Sequence, residues 1–174
     1  MMIKLFLPNE YVDSVFEITP EKLKKQGIKA IITDLDNTLV EWDRKNATPK
    51  LIEWLENMQK HDILVTIVSN NNQLRVAAFS DPIGVPFIYH ARKPMGRAFR
   101  RALRDMNVKK SETVVIGDQL LTDVLGGNLN KLYTILVVPV AKTDGFFTRI
   151  NRLIERRLLN FFKRKKMIQW EDKK

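Results

Sequence analysis

Two aspartates, Asp34 and Asp36, follow an apolar segment that is typical of a buried strand. Side chains two apart on an extended backbone point the same way, so both carboxylates should face one cavity. Like charges held together in this way repel each other unless a cation or a proton relieves the repulsion. The pair therefore predicts an acidic site that needs a cation. A polar loop or a helix cap after a strand is the simpler alternative.

Further polar residues follow the other apolar runs. Ser69 and Asn70 follow "ILVTIV", Lys93 comes shortly after "PFIYHA", and Asp118 ends "TVVIGD", with Asp123 five residues later. Because ligands of open parallel sheets bind beyond the carboxyl ends of the strands, these side chains should meet at one site. Clustered carboxylates suit a hard divalent cation, most simply Mg²⁺. The serine hydroxyl and the lysine ammonium suit a phosphoryl group beside that cation.

The two aspartates near residue 35 can divide one reaction between them. One carboxylate can attack phosphorus, while its neighbour protonates the leaving oxygen and then activates water. This division of labour gives a chemical reason for two acids two residues apart.

The elements that position these residues alternate along the chain. Strand-like apolar runs cover residues 29–36, 63–71, 86–91, 113–118 and 133–140, and amphipathic helical patterns lie between them. Most of the runs are continuously apolar, as in strands covered on both faces. The alternation predicts an α/β fold with three α/β/α layers, Rossmann-like, around a mainly parallel sheet.

The motifs "DLDNT", "SNN", Lys93 and "GDQLLTD" resemble, in order and spacing, the four motifs of haloacid dehalogenase (HAD) superfamily phosphatases. The segments "GDQLLTDVLGGN" and "YTILVVPV" are similar to subfamily IIIA, YqeG-type, which is related to phosphatidylglycerophosphate phosphatases. The resemblance spans roughly residues 28–157.

The resemblance implies a role for each site residue. Asp34 would be the nucleophile that becomes an aspartyl phosphate, and Asp36 the general acid and base. Phosphate would be bound by Thr38, Ser69, Asn70 and Lys93. Mg²⁺ would be held by Asp34, the backbone carbonyl of Asp36 and Asp118, with Asp123 supporting the metal site or Lys93. One departure is "LNKLY" after "GGN", where a glycine is expected. Asn130 tolerates a left-handed backbone and could replace it.

The spacing of the motifs leaves no room for a cap domain. Residues 38–69 accommodate one helix and its strand, and residues 70–93 accommodate one helix and a short strand. An uncapped site is open to solvent, which favours a phosphate carried on a protein, a nucleic acid or a lipid. A small substrate stays open if oligomerisation supplies a lid; the sequence does not give the oligomeric state.

Composition narrows the class of protein. The 174 residues include no cysteine, which excludes disulfides and thiolate metal sites. We expect no cleaved signal peptide and no membrane span, since no run approaches the ~20 apolar residues required. A cytoplasmic location follows as the default expectation, with peripheral association with the inner face of the membrane as an extension.

Charge is concentrated at the end of the chain. Residues 149–174 carry ten lysines and arginines and three acidic residues, a net charge of +7 out of a total of +10. We expect a phosphatase core over residues 1–148, which includes an amphipathic N-terminal segment at 1–27, and a basic amphipathic helix over 149–174. That helix either packs on its own domain or lies on an anionic membrane surface. Nucleic acid is a third partner, although no recognition motif is present.

Two rival functions come from other classes. The acidic cluster could accept a phosphoryl group as receiver switches do, although the second aspartate, which would handle water, argues against this. Alternatively, the chain could be a basic RNA- or ribosome-binding module with a silent site.

Overall fold

The computed structural model describes residues 2–141, 146–165 and 167–168. Six strands form one sheet in the order β1-β6-β5-β2-β3-β4, and every pairing is parallel. The strands are Glu10–Val12 (β1), Ala30–Thr33 (β2), Leu64–Val68 (β3), Phe87–Ile88 (β4), Thr113–Gly117 (β5) and Tyr133–Val137 (β6). The predicted α/β class and parallel sheet are confirmed, and all the strand carboxyl ends lie at one edge.

Helices connect the strands on both faces of the sheet. They are Pro20–Lys25 (α1), Pro49–Lys60 (α2), Gln73–Ser80 (α3), Arg97–Asp105 (α4), Leu125–Leu129 (α5) and Phe146–Arg164 (α6). A single π-helical turn at Leu120–Val124 leads into α5. Local sequence sets the starts of α2 and α3. The Thr48 hydroxyl accepts a hydrogen bond from the Leu51 amide, and Asn72 caps α3 through the Arg75 amide.

Two apolar cores cover the two faces of the sheet. On one face, Leu51, Leu55 and Met58 of α2 pack with Ile31 and other sheet residues. On the other face, α4 packs against Ile32, Val68 and Val115 through Ala98, Phe99 and Ala102. Since α2 and α4 lie on opposite sides, the predicted three-layer architecture is confirmed.

The N-terminal segment is part of the sheet. Strand β1 pairs with β6, and Val15, Ile18 and Leu23 are buried in the core. The Asn128 side-chain amide donates to the carbonyls of Leu5 and Leu7 at 2.8 and 3.0 Å. Within residues 3–27, many of the apolar side chains therefore pack on the domain.

The described side chains of helix α6 pack on the domain along one side. Phe162 is buried, and Leu158 and Leu159 contact a small apolar cluster with Leu120 and Val124. Leu153, Ile154 and Phe161 of the same helix are exposed. The apolar side chains of α6 therefore extend beyond the face that the domain covers. The side chains of residues 146–150 lie outside the described residues, and the predicted boundary at 148/149 stays a prediction.

Across the described residues, the structure contains no helix with the length and hydrophobicity required to cross a bilayer.

The turn before β6 differs from the one expected. Asn130 has an ordinary φ of −91°, and Lys131 takes the left-handed conformation with φ of 59°. The Asn130 side-chain amide instead donates to the Gly126 carbonyl at 2.8 Å. Asn130 therefore caps the helix end through its side chain, and the prediction that it replaces a glycine is wrong.

Candidate active site

The predicted site residues lie at the carboxyl edge of the sheet. Asp34 follows β2 directly, and its amide donates to the Ile116 carbonyl of β5 at 2.9 Å. Ser69 follows β3 directly, and Asp118 follows β5. Because the carboxyl ends of neighbouring parallel strands lie at the same edge of the sheet, the fold brings together residues that are far apart in sequence.

Lys93 lies at the centre of the site. Its ammonium contacts Asp34 Oδ1 at 2.7 Å and Asp123 Oδ1 at 2.6 Å, and its side chain is 3% exposed. Burial alone lowers the pKa of Lys93, but the carboxylates of Asp123 and Asp34 outweigh burial and raise it. Lys93 is therefore a permanently charged group within the acidic site.

Asn70 fixes the backbone of Lys93. Its side-chain oxygen accepts from the Lys93 amide at 2.7 Å, and its nitrogen donates to the Lys93 carbonyl at 3.2 Å. Asn70, predicted as a phosphate ligand, thus has its side chain on the main chain of Lys93. The local backbone needs this support, since His90 and Arg92 both have positive φ, at 45° and 54°.

Three buried carboxylates form the acidic cluster. Asp34, Asp118 and Asp123 each offer one oxygen within 4.8 Å of the others. Thr38, predicted as a phosphate ligand, donates from its hydroxyl to Asp118 Oδ1 at 2.9 Å. The donors are all oxygens and the cluster is buried, which is the chemistry that a hard cation such as Mg²⁺ requires.

Asp123 is held tightly within this cluster. Its Oδ2 accepts from the Gln119 amide at 3.1 Å, while Oδ1 faces Lys93. Burial raises the pKa of Asp123 to about 6, the charge of Lys93 opposes this, and Asp34 adds to it. Gly117 makes room for the carboxyl, because a Cβ at this position would lie 2.2 Å from Asp123 Cγ. With both oxygens engaged, Asp123 has the geometry of a support for Lys93.

The Asp36 side chain is bound by α3 and the loop before it. Arg75 donates to Asp36 Oδ1 through Nε at 3.0 Å and through a terminal nitrogen at 2.8 Å, and Asn71 donates to Oδ2 at 3.0 Å. Burial raises the pKa of Asp36 and the charge of Asp34 adds to this, whereas Asn71 and Arg75 oppose it. Neither Arg75 nor Asn71 was predicted from sequence. The run "SNNN" after β3 was the available signal.

Ser69 is buried beside this loop. Its Oγ accepts from the Asn71 amide at 3.1 Å. A hydroxyl that accepts one hydrogen bond still has its own proton to donate. Ser69 therefore keeps the donor that the sequence prediction assigned to phosphate.

The chain is similar to one curated protein along nearly its whole length. It is 67% identical over 172 residues to "Probable phosphatase YqeG" of Bacillus subtilis (strain 168), a match that covers 99% of this chain and 100% of that one. The chain belongs to the YqeG-type HAD-like phosphatases. A family model described as HAD-hydrolase-like matches residues 90–139 of this phosphatase.

More distant relatives carry a more specific name. "Phosphatidylglycerophosphate phosphatase 1, chloroplastic/mitochondrial" of Arabidopsis thaliana is 30% identical over 91% of this chain. A chloroplastic protein of the same name from Chlamydomonas reinhardtii is 25% identical over 78% of this chain. The YqeG-type chain spans 49% and 54% of the lengths of these two relatives.

Solved structures share the fold. The cobalt-bound deoxy-D-mannose-octulosonate 8-phosphate phosphatase (YrbI) of Haemophilus influenzae superposes with a TM-score of 0.52 at 18% identity, over 78% of this chain and 91% of that one. A 3-deoxy-D-manno-octulosonate 8-phosphate phosphatase from Vibrio cholerae gives 0.57 at 16% identity, over 79% and 75%. These likenesses confirm the HAD fold.

The YqeG-type site has an open mouth. In the described chain only α2 lies between β2 and β3, and only α3 and a short 3₁₀ turn at Asp81–Ile83 lie between β3 and β4. Neither connection carries an inserted domain, so the capless prediction is confirmed.

Beside Asp118, a cleft of about 430 Å³ reaches α6 and is lined by Tyr11, Leu136, Val137, Glu155, Arg156 and Leu159. Helix α6 thus forms one wall of the approach to the cluster.

Proposed function

We propose that the protein is a Mg²⁺-dependent phosphomonoester hydrolase that works through an aspartyl phosphate on Asp34. The observation that carries the proposal is the contact of Asp34 with buried Lys93, in a cluster whose carboxylates lie within 4.8 Å. A carboxylate beside a buried cation is positioned to receive an anionic group, since the cation offsets the repulsion.

The proposed reaction has two steps, formation of the aspartyl phosphate and its hydrolysis. A carboxylate oxygen of Asp34 attacks phosphorus, the bond from phosphorus to the leaving oxygen breaks, and that oxygen takes the proton of Asp36. Water then attacks phosphorus and returns a proton to Asp36, the bond to Asp34 breaks, and inorganic phosphate leaves. Burial raises the pKa of Asp36, which favours the protonated form that a general acid uses.

The residues around Asp34 and Asp36 would bind and orient the phosphoryl group. Lys93 would neutralise charge on the phosphoryl oxygens, and Ser69 would donate its hydroxyl to one of them. Mg²⁺ held by Asp34, Asp118 and the Asp36 backbone carbonyl would supply further positive charge when bound. Asp123 would hold Lys93 in place, and Asn70 and Thr38 would act through Lys93 and Asp118.

The reaction is tested on a soluble aryl phosphate in Mg²⁺. Asp34→Asn should lose at least about 1,000-fold in kcat, because the nucleophile is removed. Asp105→Asn, which removes an exposed aspartate paired with Arg101, is the matched control and should keep wild-type rates. Wild-type turnover in Asp34→Asn would overturn the proposal.

For the substrate, we propose phosphatidylglycerophosphate, within phospholipid synthesis. The names of the Arabidopsis and Chlamydomonas relatives support it, as does the open mouth, which admits a phosphate on a large carrier. An exposed face of α6 also supports it. Leu153, Ile154 and Phe161 lie there together with Arg156 and Arg157, a pattern that suits the interface of an anionic membrane.

The substrate proposal has its own test. Phosphatidylglycerophosphate in vesicles is compared with a 5′-phosphorylated oligonucleotide, a phosphopeptide and a sugar phosphate. The expected result is a kcat/KM for the lipid at least about tenfold above the others. A higher value for any other substrate would overturn the lipid assignment and leave the phosphatase assignment intact.

A further inference from the structure

Exposed apolar side chains are concentrated around the mouth of the site. Among the described residues, eleven large hydrophobic side chains are more than a third exposed, and five of them follow the carboxyl ends of strands. We call these five the apolar rim: Trp42 (42% exposed), Leu74 (84%), Tyr89 (39%), Met95 (66%) and Val140 (48%). Three more belong to α6, and the other three lie elsewhere.

Short links connect each rim residue to the site. The Asn37 side chain accepts from the Trp42 amide at 3.3 Å, and the Asn37 carbonyl accepts from the Val140 amide at 2.9 Å. Trp42 therefore lies in the segment that follows the two aspartates of the first motif, and Val140, which follows β6, is hydrogen-bonded to that segment.

The remaining rim residues are attached to the other site loops. Leu74 directly precedes Arg75, the partner of Asp36. Tyr89 directly precedes His90, whose amide donates to the Asn71 carbonyl at 2.9 Å. Met95 lies two residues after Lys93. The rim residues thus come from the four segments that follow β2, β3, β4 and β6, at the same edge of the sheet as the polar residues of the site.

Such an arrangement fits a flat, partly apolar partner. Scattered exposed apolar residues are ordinary, but several around one polar mouth mark a contact surface. The segment from residue 89 to the start of α4 adds the exposed cations Arg92 and Arg97 and contains no acidic residue. Aromatic and aliphatic side chains beside these two arginines match the interface of an anionic bilayer.

We propose that the apolar rim docks on an anionic lipid bilayer and turns the mouth of the site toward the headgroups. The proposal rests on the proposed function, and it adds a second membrane contact separate from α6. It gives the missing cap a physical reason, because the bilayer itself would close the mouth while a lipid phosphate is bound.

The test measures binding of the full chain to vesicles by sedimentation. Vesicles of phosphatidylcholine with phosphatidylglycerol are compared with pure phosphatidylcholine. Leu74→Gln and Met95→Gln should each weaken partitioning about tenfold, since partial burial of one such side chain is worth about one tenfold step. Leu129→Gln is the matched control. Leu129 is 53% exposed at the end of α5, on the opposite edge of the sheet, and its loss should leave partitioning unchanged.

Vesicle binding and phosphate hydrolysis are measured in separate assays. Asp34→Asn should bind vesicles like the wild type while it hydrolyses nothing, so a failure of the reaction does not affect the docking test. Equal partitioning of the Leu74, Met95 and Leu129 variants would overturn the docking proposal while leaving the phosphatase assignment intact.

Binding of either of two other partners at the apolar rim would also overturn the docking proposal. One is a second copy of the chain, detected as a dimer that Leu74→Gln dissociates in light scattering. The other is an oligonucleotide that binds wild type more tightly than Met95→Gln.

Discussion

Replacement of Lys93 by methionine tests whether the buried ion-pair cluster has been described correctly. Methionine fills a similar volume, but it leaves Asp34 and Asp123 buried without the ammonium that now lies 2.7 and 2.6 Å from them. Removal of one partner from a buried ion pair costs about 3–5 kcal/mol, because the other charge stays desolvated. For a chain of 174 residues this corresponds to a fall in Tm of about 10 °C.

The partner variants make this prediction specific. Asp123→Asn should cost less than Lys93→Met, since Lys93 keeps Asp34 and an amide oxygen can still accept from Gln119. In Lys93→Met/Asp123→Asn one of the two repelling carboxylates is gone. The double variant should therefore be more stable than the sum of the single effects by about 1–3 kcal/mol.

The assay is urea unfolding monitored by circular dichroism, in EDTA and in Mg²⁺. Mg²⁺ should stabilise Lys93→Met more than the wild type, because a cation replaces the lost positive charge. Lys29→Met is the matched control. Lys29 contacts Glu112 at 2.7 Å but is 65% exposed, and such surface pairs are worth at most about 1 kcal/mol. If Lys93→Met costs no more than Lys29→Met, or if the two mutations at 93 and 123 are additive, the buried cluster is refuted.

Three further changes test other parts of the site. Arg75→Gln should lower kcat and move the alkaline limb of its pH profile upward, because Arg75 lowers the pKa of Asp36; an unchanged profile would contradict a positioning role. The pKa of Asp123 is raised from 3.8 to about 6 in the folded protein, so between these pH values the folded state holds a proton that the unfolded state has lost. Protonation of Asp123 therefore stabilises the fold at low pH, and this stabilisation is lost as the pH rises through 6. In EDTA, Tm should accordingly rise as the pH falls through 6, and Asp123→Asn should abolish that rise. Gly117→Ala should lower kcat, since its Cβ would displace Asp123 from Lys93. Gly27→Ala is the control: its Cβ meets nothing, but φ is 73°, so it should cost about 1–2 kcal/mol in stability and leave kcat unchanged.

The sheet and the positions of the site residues were predictable because both depend on local pattern. Continuously apolar runs identify strands buried on both faces, and polar residues at their ends mark the carboxyl edge. The strand β1 was missed because Glu10–Val12 is a three-residue edge strand with no apolar run. Its place depends on pairing with β6, more than 120 residues away.

The hydrogen-bond partners within the site were less predictable. Asn70 faces the backbone of Lys93, and Arg75 faces Asp36, across separations of 23 and 39 residues. An arginine in the first turn of a helix normally indicates a solvated charge, so its pairing could not be inferred from spacing alone. Lys131 was likewise unexpected in a left-handed conformation, because the helix end is closed by the side chain of its neighbour Asn130.

Trapping the covalent intermediate tests the proposed reaction most directly. The wild-type protein is mixed with an aryl phosphate in Mg²⁺ and quenched in acid, and borohydride then reduces any acyl phosphate before peptide mass spectrometry. We predict homoserine at position 34 in the peptide that contains Asp34 and Asp36, with aspartate retained at position 36. Steady turnover with the reduced residue at another position, or with no reduced residue at all, would contradict the aspartyl phosphate on Asp34.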